Sequence, residues 1–215
     1  MLASALTLGL VGLAAASPIS NAYYPPPPSS PVTQSKGFLL VVKHTNTPIN
    51  GLYINSIHVG AGLGLVGVGT KDDNPRIFYQ NGTAEEYATG QSSIISDGGT
   101  PPFPFGLSFV KDEGSAHLST VNLNGGQGTK GIAISKASVI VPGEYLVCDE
   151  PLQYYQGKHF NILKNLSAQD PIPKECTAVT LVPQCTELND LPKGSYSSHD
   201  FAIDTPCYKD AGTVN

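Results

Sequence analysis

The chain has 215 residues, a formal net charge of −5 at pH 7, and charged side chains at only 13% of positions. Its single arginine, Arg76, and the lack of clustered lysines argue against a nucleic-acid partner and against an anionic membrane surface, since both need concentrated positive charge. With 23 glycines and 18 prolines separating many short β-branched runs, the composition describes an all-β chain with a turn-rich surface.

In chain order, the first segment is an apolar run from Leu2 to Leu13, followed by Ala14-Ala15-Ala16-Ser17. The run is short of the about 20 apolar residues a membrane span needs, and it reads as a signal peptide over 1–16. Ala14 and Ala16 fit the small-x-small rule for a cut before Ser17, and Ser20 with Ala22 offers an alternative cut after 22. Residues 17–35 follow as a proline-rich disordered spacer. Pro25 to Pro28 and Pro31 fix φ and remove backbone donors, so this stretch is a stiff linker outside the core. No later apolar run supplies an anchor, so a membrane-embedded protein is not expected.

Residues 36–215 then form a single β-rich domain, long enough to bury about 70% of its unfolded surface. Phe38 to Val42 reads as a buried strand and Leu52 to Val59 alternates as a half-buried one. Further strands are predicted at 76–80, 92–96, 105–110, 117–123, 131–135, 144–148, 160–163 and 177–182. Turn material such as Lys71-Asp-Asp-Asn-Pro75, Asp97-Gly-Gly-Thr-Pro-Pro102 and Pro142-Gly143 separates them. This spacing predicts a β-sandwich or a closed, barrel-like β-domain, with a β-trefoil as the alternative. One short helix is predicted over Ala84–Ala88, because Thr83 and Glu86 form a capping box and Gly90 can end the turn.

Four cysteines, Cys148, Cys176, Cys185 and Cys207, fall in the last third of the chain. In a secreted chain they are expected as two disulfides, and four cysteines allow three pairings. An extended strand over 177–182, at about 3.3 Å per residue, carries Cys176 and Cys185 far beyond the roughly 6 Å that a disulfide spans. Of the two pairings left, Cys148–Cys176 with Cys185–Cys207 closes the shorter loops. Without a Cys-x-x-Cys or a close Cys-His pair, no zinc site is expected. Asn81-Gly-Thr83 and Asn165-Leu-Ser167 are glycosylation triplets, whereas Asn46-Thr-Pro48 fails because proline follows the threonine. Thr83 can accept the glycan sequence requirement and still cap its helix.

The chemistry-bearing motifs are thin. Gly62-x-Gly64-x-x-Gly67 follows a strand as a dinucleotide fingerprint does, but Val68 to Pro75 leaves no room for the helix whose N-terminus would face a pyrophosphate. The glycines are expected instead to line a tight bend or close strand packing, and no cofactor is expected. No Gly-x-Ser-x-Gly elbow, aspartic-protease triplet or His-Glu-x-x-His is present. Glu85-Glu86, Asp112-Glu113 and Asp149-Glu150 read as solvated turn charges rather than glycosidase pairs. His199-Asp200 beside Asp204 could orient a base, yet no nucleophile can be named, so no catalytic residue is assigned. The remaining binding candidate is the patch Tyr154, Tyr155, His159 and Phe160, rings suited to stacking on sugars; the plainer reading of the tyrosine pair is one ring in and one out on a strand.

The run Ser35 to Val42, then Ile57-His-Val-Gly-Ala-Gly-Leu63, Phe78-Tyr-Gln-Asn-Gly-Thr83, and the ending from Pro183-Gln-Cys185 through Ser198-His-Asp-Phe201 to Cys207-Tyr208 resembles a family of small secreted proteins of ascomycete fungi defined by a domain of unknown function. Tyr145-Leu-Val-Cys148, Tyr154-Tyr155 and Cys176 are also similar to fungal cell-wall mannoproteins and allergens. The resemblance implies a β-rich extracellular or cell-wall protein and supplies no catalytic residues. The expected function is therefore structural or binding and more in keeping with a non-enzyme, with wall polysaccharide or another extracellular protein as partner. A small secreted hydrolase and an effector that binds a host protein are the alternatives.

Overall fold

The computed structural model describes residues 32–45 and 47–214. The apolar leader, both cleavage expectations and the proline run lie outside the described residues. Strands β1 (Val32–Ser35), β2 (Gly37–Lys43), β3 (Tyr53–Gly60), β4 (Leu63–Gly69) and β5 (Phe78–Asn81) are followed by helix α1 (Ala84–Ala88). Then come β6 (Ser93–Gly98), β7 (Phe103–Lys111), β8 (Leu118–Gly125), β9 (Ala133–Ile134), β10 (Ile140–Val141), β11 (Glu144–Leu152), β12 (Lys158–Leu166), β13 (Cys176–Thr186), β14 (Ala202–Ile203) and β15 (Thr205–Tyr208).

Thirteen strands form one sheet in the order β1-β15-β13-β11-β12-β4-β3-β2-β5-β6-β7-β8, with β14 on β5, while β9 and β10 pair separately. Extra pairings of β13 with β2, and of β8 with both β12 and β4, fold the sheet back on itself. The ring is not evenly closed, so of the expected architectures the sandwich-like all-β fold is the one found.

The apolar run in β2 is buried on both faces, which is why it lacks polar alternation. Phe38, Leu40 and Val42 enter the main core with Ile54, Phe78, Leu107, Leu123, Leu163 and Leu181. Val41 points the other way, onto Val182, Tyr208, Ala211 and Val214. The C-terminal segment is thus a second layer over one face of the sheet. Two disulfides hold the layers in register: Cys148–Cys176 joins directly opposed residues of β11 and β13, and Cys185–Cys207 joins β13 to β15.

One expectation needs correction. Residues 32–35, assigned to the spacer, are a strand in register with β15, Val32 opposite Tyr208 and Ser35 opposite Thr205. The domain therefore begins by residue 32 rather than 36. The glycine-rich segment, expected as a bend or close packing, is both: Gly62 takes the turn at φ +69°, and β4 then runs antiparallel to β3. A Cβ on Gly64 would stand 2.9 Å from the Ser56 hydroxyl and 3.0 Å from the Leu123 carbonyl, and one on Gly67 would overlap Asn55 and Ile57. Glycine is there because neighbouring side chains lie across the strand. Helix α1 forms as predicted, the Glu86 amide donating to Thr83 Oγ1 at 3.1 Å and the Thr83 amide to Glu86 Oε2 at 2.9 Å.

Candidate functional site: an aromatic face at the β11–β12 turn

β11 and β12 pair over nine positions, Glu144 opposite Leu166 through Leu152 opposite Lys158, and a single 3-10 turn, Gln153–Tyr155, joins them. Gln156 at φ +57° and Gly157 at φ +81° reverse the chain there. The tyrosine pair therefore sits on a turn, not on a strand, and both rings stand at the sheet end.

Tyr154 is 56% exposed. Its ring lies 5.1 Å from that of Tyr155, which lies 4.9 Å from Phe160. On the other side the Tyr154 ring meets His58 of β3 edge-on at 5.8 Å. The Tyr155 hydroxyl donates to the His58 carbonyl at 2.8 Å, fastening the turn to the β3–β4 hairpin. Lys158 Nζ lies 5.3 Å from the Phe160 ring centre, in cation–π range. Phe160, Tyr155, Tyr154 and His58 thus make a continuous ring surface with a cation at one end.

His159, expected in the same patch, is not part of it. Alternation along β12 turns it to the face opposite Phe160, where its Nδ1 meets Asp149 Oδ1 at 3.1 Å. His58, on the strand that the sequence reads as half-buried over 52–59, takes its place. Beyond His58 lies a groove of about 280 Å³ lined by Leu63, Arg76, Gly98 and Phe105 among others. On its far side Phe103 and Tyr196, 42% and 73% exposed, are 6.3 Å apart, and Phe103 is 6.1 Å from Phe105. Arg76 sits 5.9 Å from the Phe105 ring centre. Sequence reasoning missed this second cluster, whose members come from residues nearly a hundred positions apart.

The histidine-carboxylate expectation resolves differently. His199 Nε2 meets Asp97 Oδ2 at 2.7 Å, while Asp200 and Asp204 are exposed. The Tyr79 hydroxyl donates to Asp97 Oδ1 at 3.3 Å, its ring packs 4.9 Å from His199, and Arg76 Nη2 donates to the Asp97 carbonyl at 2.6 Å. Burial, with Asp97 adding to it, pushes the Tyr79 phenol well above its ordinary range. Burial also draws the Arg76 guanidinium below its ordinary value, against the pull of Asp97. Among the described residues no hydroxyl hydrogen-bonds the His199 ring. The pair ties the C-terminal layer to β6.

Of the carboxylates read from sequence as solvated turn charges, Glu86, Asp112 and Glu150 are instead paired with lysines. Asp112 and Glu150 both hold Lys164, at 2.6 and 2.5 Å, and Glu86 pairs with Lys130. Burial lowers the Lys164 ammonium, but the bonds and charges of Asp112 and Glu150 outweigh it and leave it above its ordinary value. Among the described residues no group of three or more His, Cys, Asp or Glu side chains is placed to hold a metal ion, and no helix is long and apolar enough to cross a membrane.

The two glycosylation triplets end in opposite environments. Asn81 is half-exposed at the end of β5 and its amide has no hydrogen-bond partner among the described residues. Asn165 is 2% exposed and its Nδ2 donates to the Pro142 carbonyl at 2.8 Å. The folded domain leaves a glycan on Asn165 no exit, which corrects that expectation.

No solved structure matches the chain. The "Antigenic protein SchS34" of Stachybotrys chartarum is 48% identical over 199 residues, covering 84% of this chain and 89% of that protein. A family model described as a domain of unknown function (DUF7907) matches residues 35–185. The match runs from the end of β1 to Cys185, taking in the core strands, the tyrosine turn and the first disulfide, and the chain belongs to the DUF7907 family.

Proposed function

We propose that this chain is a secreted, non-enzymatic fungal protein that binds cell-wall polysaccharide through the ring surface of Tyr154, Tyr155, Phe160 and His58. The observation that carries the reading is the exposed series of edge-to-face and tilted ring contacts at the β11–β12 turn. A sugar ring presents a face of C–H groups that packs on an aromatic face, while its hydroxyls stay hydrated at the rim. A domain of this size has no structural need to leave Tyr154 in solvent. Two disulfides are compatible with an oxidising, extracellular setting, and the relative named an antigenic protein comes from a fungus.

The test is sedimentation of the purified protein with insoluble chitin, β-glucan and mannan. Binding to at least one polymer is expected, and Tyr154→Ala is expected to weaken it about tenfold, roughly 1.4 kcal/mol, with an unchanged melting temperature. Full recovery of the native protein in the supernatant with all three polymers would sink the reading.

A further inference from the structure

A second cavity lies away from the ring surface, at the junction of β5, β6, α1 and the segment before β14. It has a volume of about 300 Å³, and its lining includes Asn81, Glu86, Gln91, Gln127, Lys130 and Phe201. Asn81 is the first residue of the triplet Asn81-Gly82-Thr83. Register places it opposite Ser93 of β6 and Ala202 of β14, and the Gly82 amide donates to the Phe201 carbonyl at 3.0 Å. Asn81 and Phe201 are therefore held side by side at one rim, although 120 positions separate them in sequence.

Phe201 is a conspicuous side chain. It is 59% exposed in the turn just before β14, where its carbonyl accepts from the Gly82 amide, so its ring stands in solvent beside the end of β5. The rest of the lining includes two glutamine side chains, and the Lys130 ammonium paired with Glu86. One aromatic side chain together with amide and charged donors is the lining a hexosamine fits, with its C–H face on the ring and its hydroxyls and acetamido group toward the polar groups.

From this we propose that Asn81 carries an N-linked glycan whose first N-acetylglucosamine packs into this cavity on the face of Phe201. The proposal rests on the reading of the chain as secreted, because the modification requires the secretory pathway. In the transfer, the Asn81 Nδ2 forms a bond to C1 of the sugar. The bond from C1 to the phosphate oxygen of a polyprenyl-diphosphate-linked oligosaccharide breaks, the amide loses one proton, and the polyprenyl diphosphate departs. No oxidation or reduction occurs. The free amide of Asn81 and the engaged, buried amide of Asn165 give the selectivity between the two triplets. Gly82 between Asn81 and Thr83 keeps the rim open, since a Cβ there would stand 3.2 Å from that of Ser92.

The experiment uses the full chain expressed with its own N-terminus in a filamentous fungus and collected from the medium. Peptide mass mapping before and after peptide-N-glycosidase is expected to find the glycan on Asn81 and an unmodified Asn165. Trimming the glycan to its first N-acetylglucosamine is expected to leave the melting temperature unchanged. Asn81→Gln is expected to lower it by about 2 to 4 °C. Phe201→Ala should give a similar drop in the glycosylated protein and none in the Asn81→Gln background. An unmodified Asn81 in secreted protein overturns this inference alone, as does a Phe201→Ala effect of equal size in both backgrounds. Retention of an unmodified chain inside the cell overturns the secretion reading together with it.

Discussion

The two ends of strand β12 put polar and aromatic residues in each other's customary places. At its start, Lys158 and His159 are exposed and Phe160 is half-exposed, beside the open ring of Tyr154; at its finish, Lys164 and Asn165 are 6% and 2% exposed. The buried polar end is fully employed: Lys164 bridges Asp112 and Glu150, and Asn165 holds the Pro142 turn. Among the described residues the exposed aromatic end is fastened by one hydrogen bond across to β3, from Tyr155 to His58. Buried charge and amide groups that satisfy one another stabilise the fold, whereas aromatic surface left in water costs hydrophobic stabilisation and is most simply explained by something that covers it. The same strand thus separates residues used for stability from those proposed to bind, and substitutions at its two ends should separate the two properties.

The largest effect is expected at Lys164. Replacing it with alanine leaves Asp112 and Glu150 facing each other with no counter-charge; because both are partly exposed, the cost should lie near the lower end of that for a buried pair, about 3 kcal/mol. Urea unfolding should show this as a lowered midpoint, with polysaccharide sedimentation unchanged in the folded fraction. The same group sets a pH limit. The folded-state pKa of Lys164 is raised, so its contribution is complete below the unfolded lysine value of about 10.4 and is lost as pH climbs through the folded value. Tyr79, raised by burial and Asp97, and Tyr145, raised by burial, act in the same direction, because folding favours their neutral forms. Stability should therefore fall above about pH 10, and the Lys164→Ala protein should show a shallower fall than the native one. An identical slope in both would remove Lys164 from that account.

Asn165 comes next. Asn165→Ala removes the donor to the Pro142 carbonyl from a buried site and should cost about 1 to 3 kcal/mol in thermal or urea unfolding. Ser167→Ala, which destroys the triplet but keeps Asn165, should leave the glycan mass of the secreted protein unaltered. A loss of glycan mass in that variant would break the contrast between a structural Asn165 and a modified Asn81.

What could be read from the sequence follows how locally each feature is determined. Helix α1 was legible because Thr83, Glu86 and Gly90 carry its whole start and stop within one turn. The disulfide pairing was legible in two steps: one extended strand separates Cys176 from Cys185 too far, and of the two pairings left the one found closes the shorter loops. The tyrosine pair was legible as a patch, but its neighbour His58 was not, since it lies 97 residues away from Tyr155 and only the β3–β4 hairpin brings it close. For the same reason His199 was linked in sequence to the adjacent Asp200, while the fold gives it Asp97, 102 residues distant. β1 looked like spacer because Val32 to Ser35 have no local partner; their pairing residues are 205–208. The glycines of β4 were legible as a bend or close packing, but not the side chains that require them, Asn55, Ser56 and Ile57, which belong to the neighbouring strand.

The smallest expected effect concerns how the aromatic end is held, and it asks whether that end is as independent of the fold as its exposure implies. Tyr155→Phe keeps the ring contacts with Tyr154 and Phe160 and deletes only the hydroxyl that donates to the His58 carbonyl. A single hydrogen bond in a partly exposed setting contributes about 0.5 to 1.5 kcal/mol, so the melting temperature should drop by no more than a few degrees. If the bond also sets the angle between the turn and β3, binding to the polymer should weaken by a few-fold even though no stacking ring has been removed. A stability loss with unchanged binding would mean that the rings find their places through packing alone, and a binding loss with unchanged stability would mean that the bond orients the surface rather than supporting the sheet. Either result locates the boundary between the two halves of β12 at the turn that joins it to β11, where the residues available for binding begin.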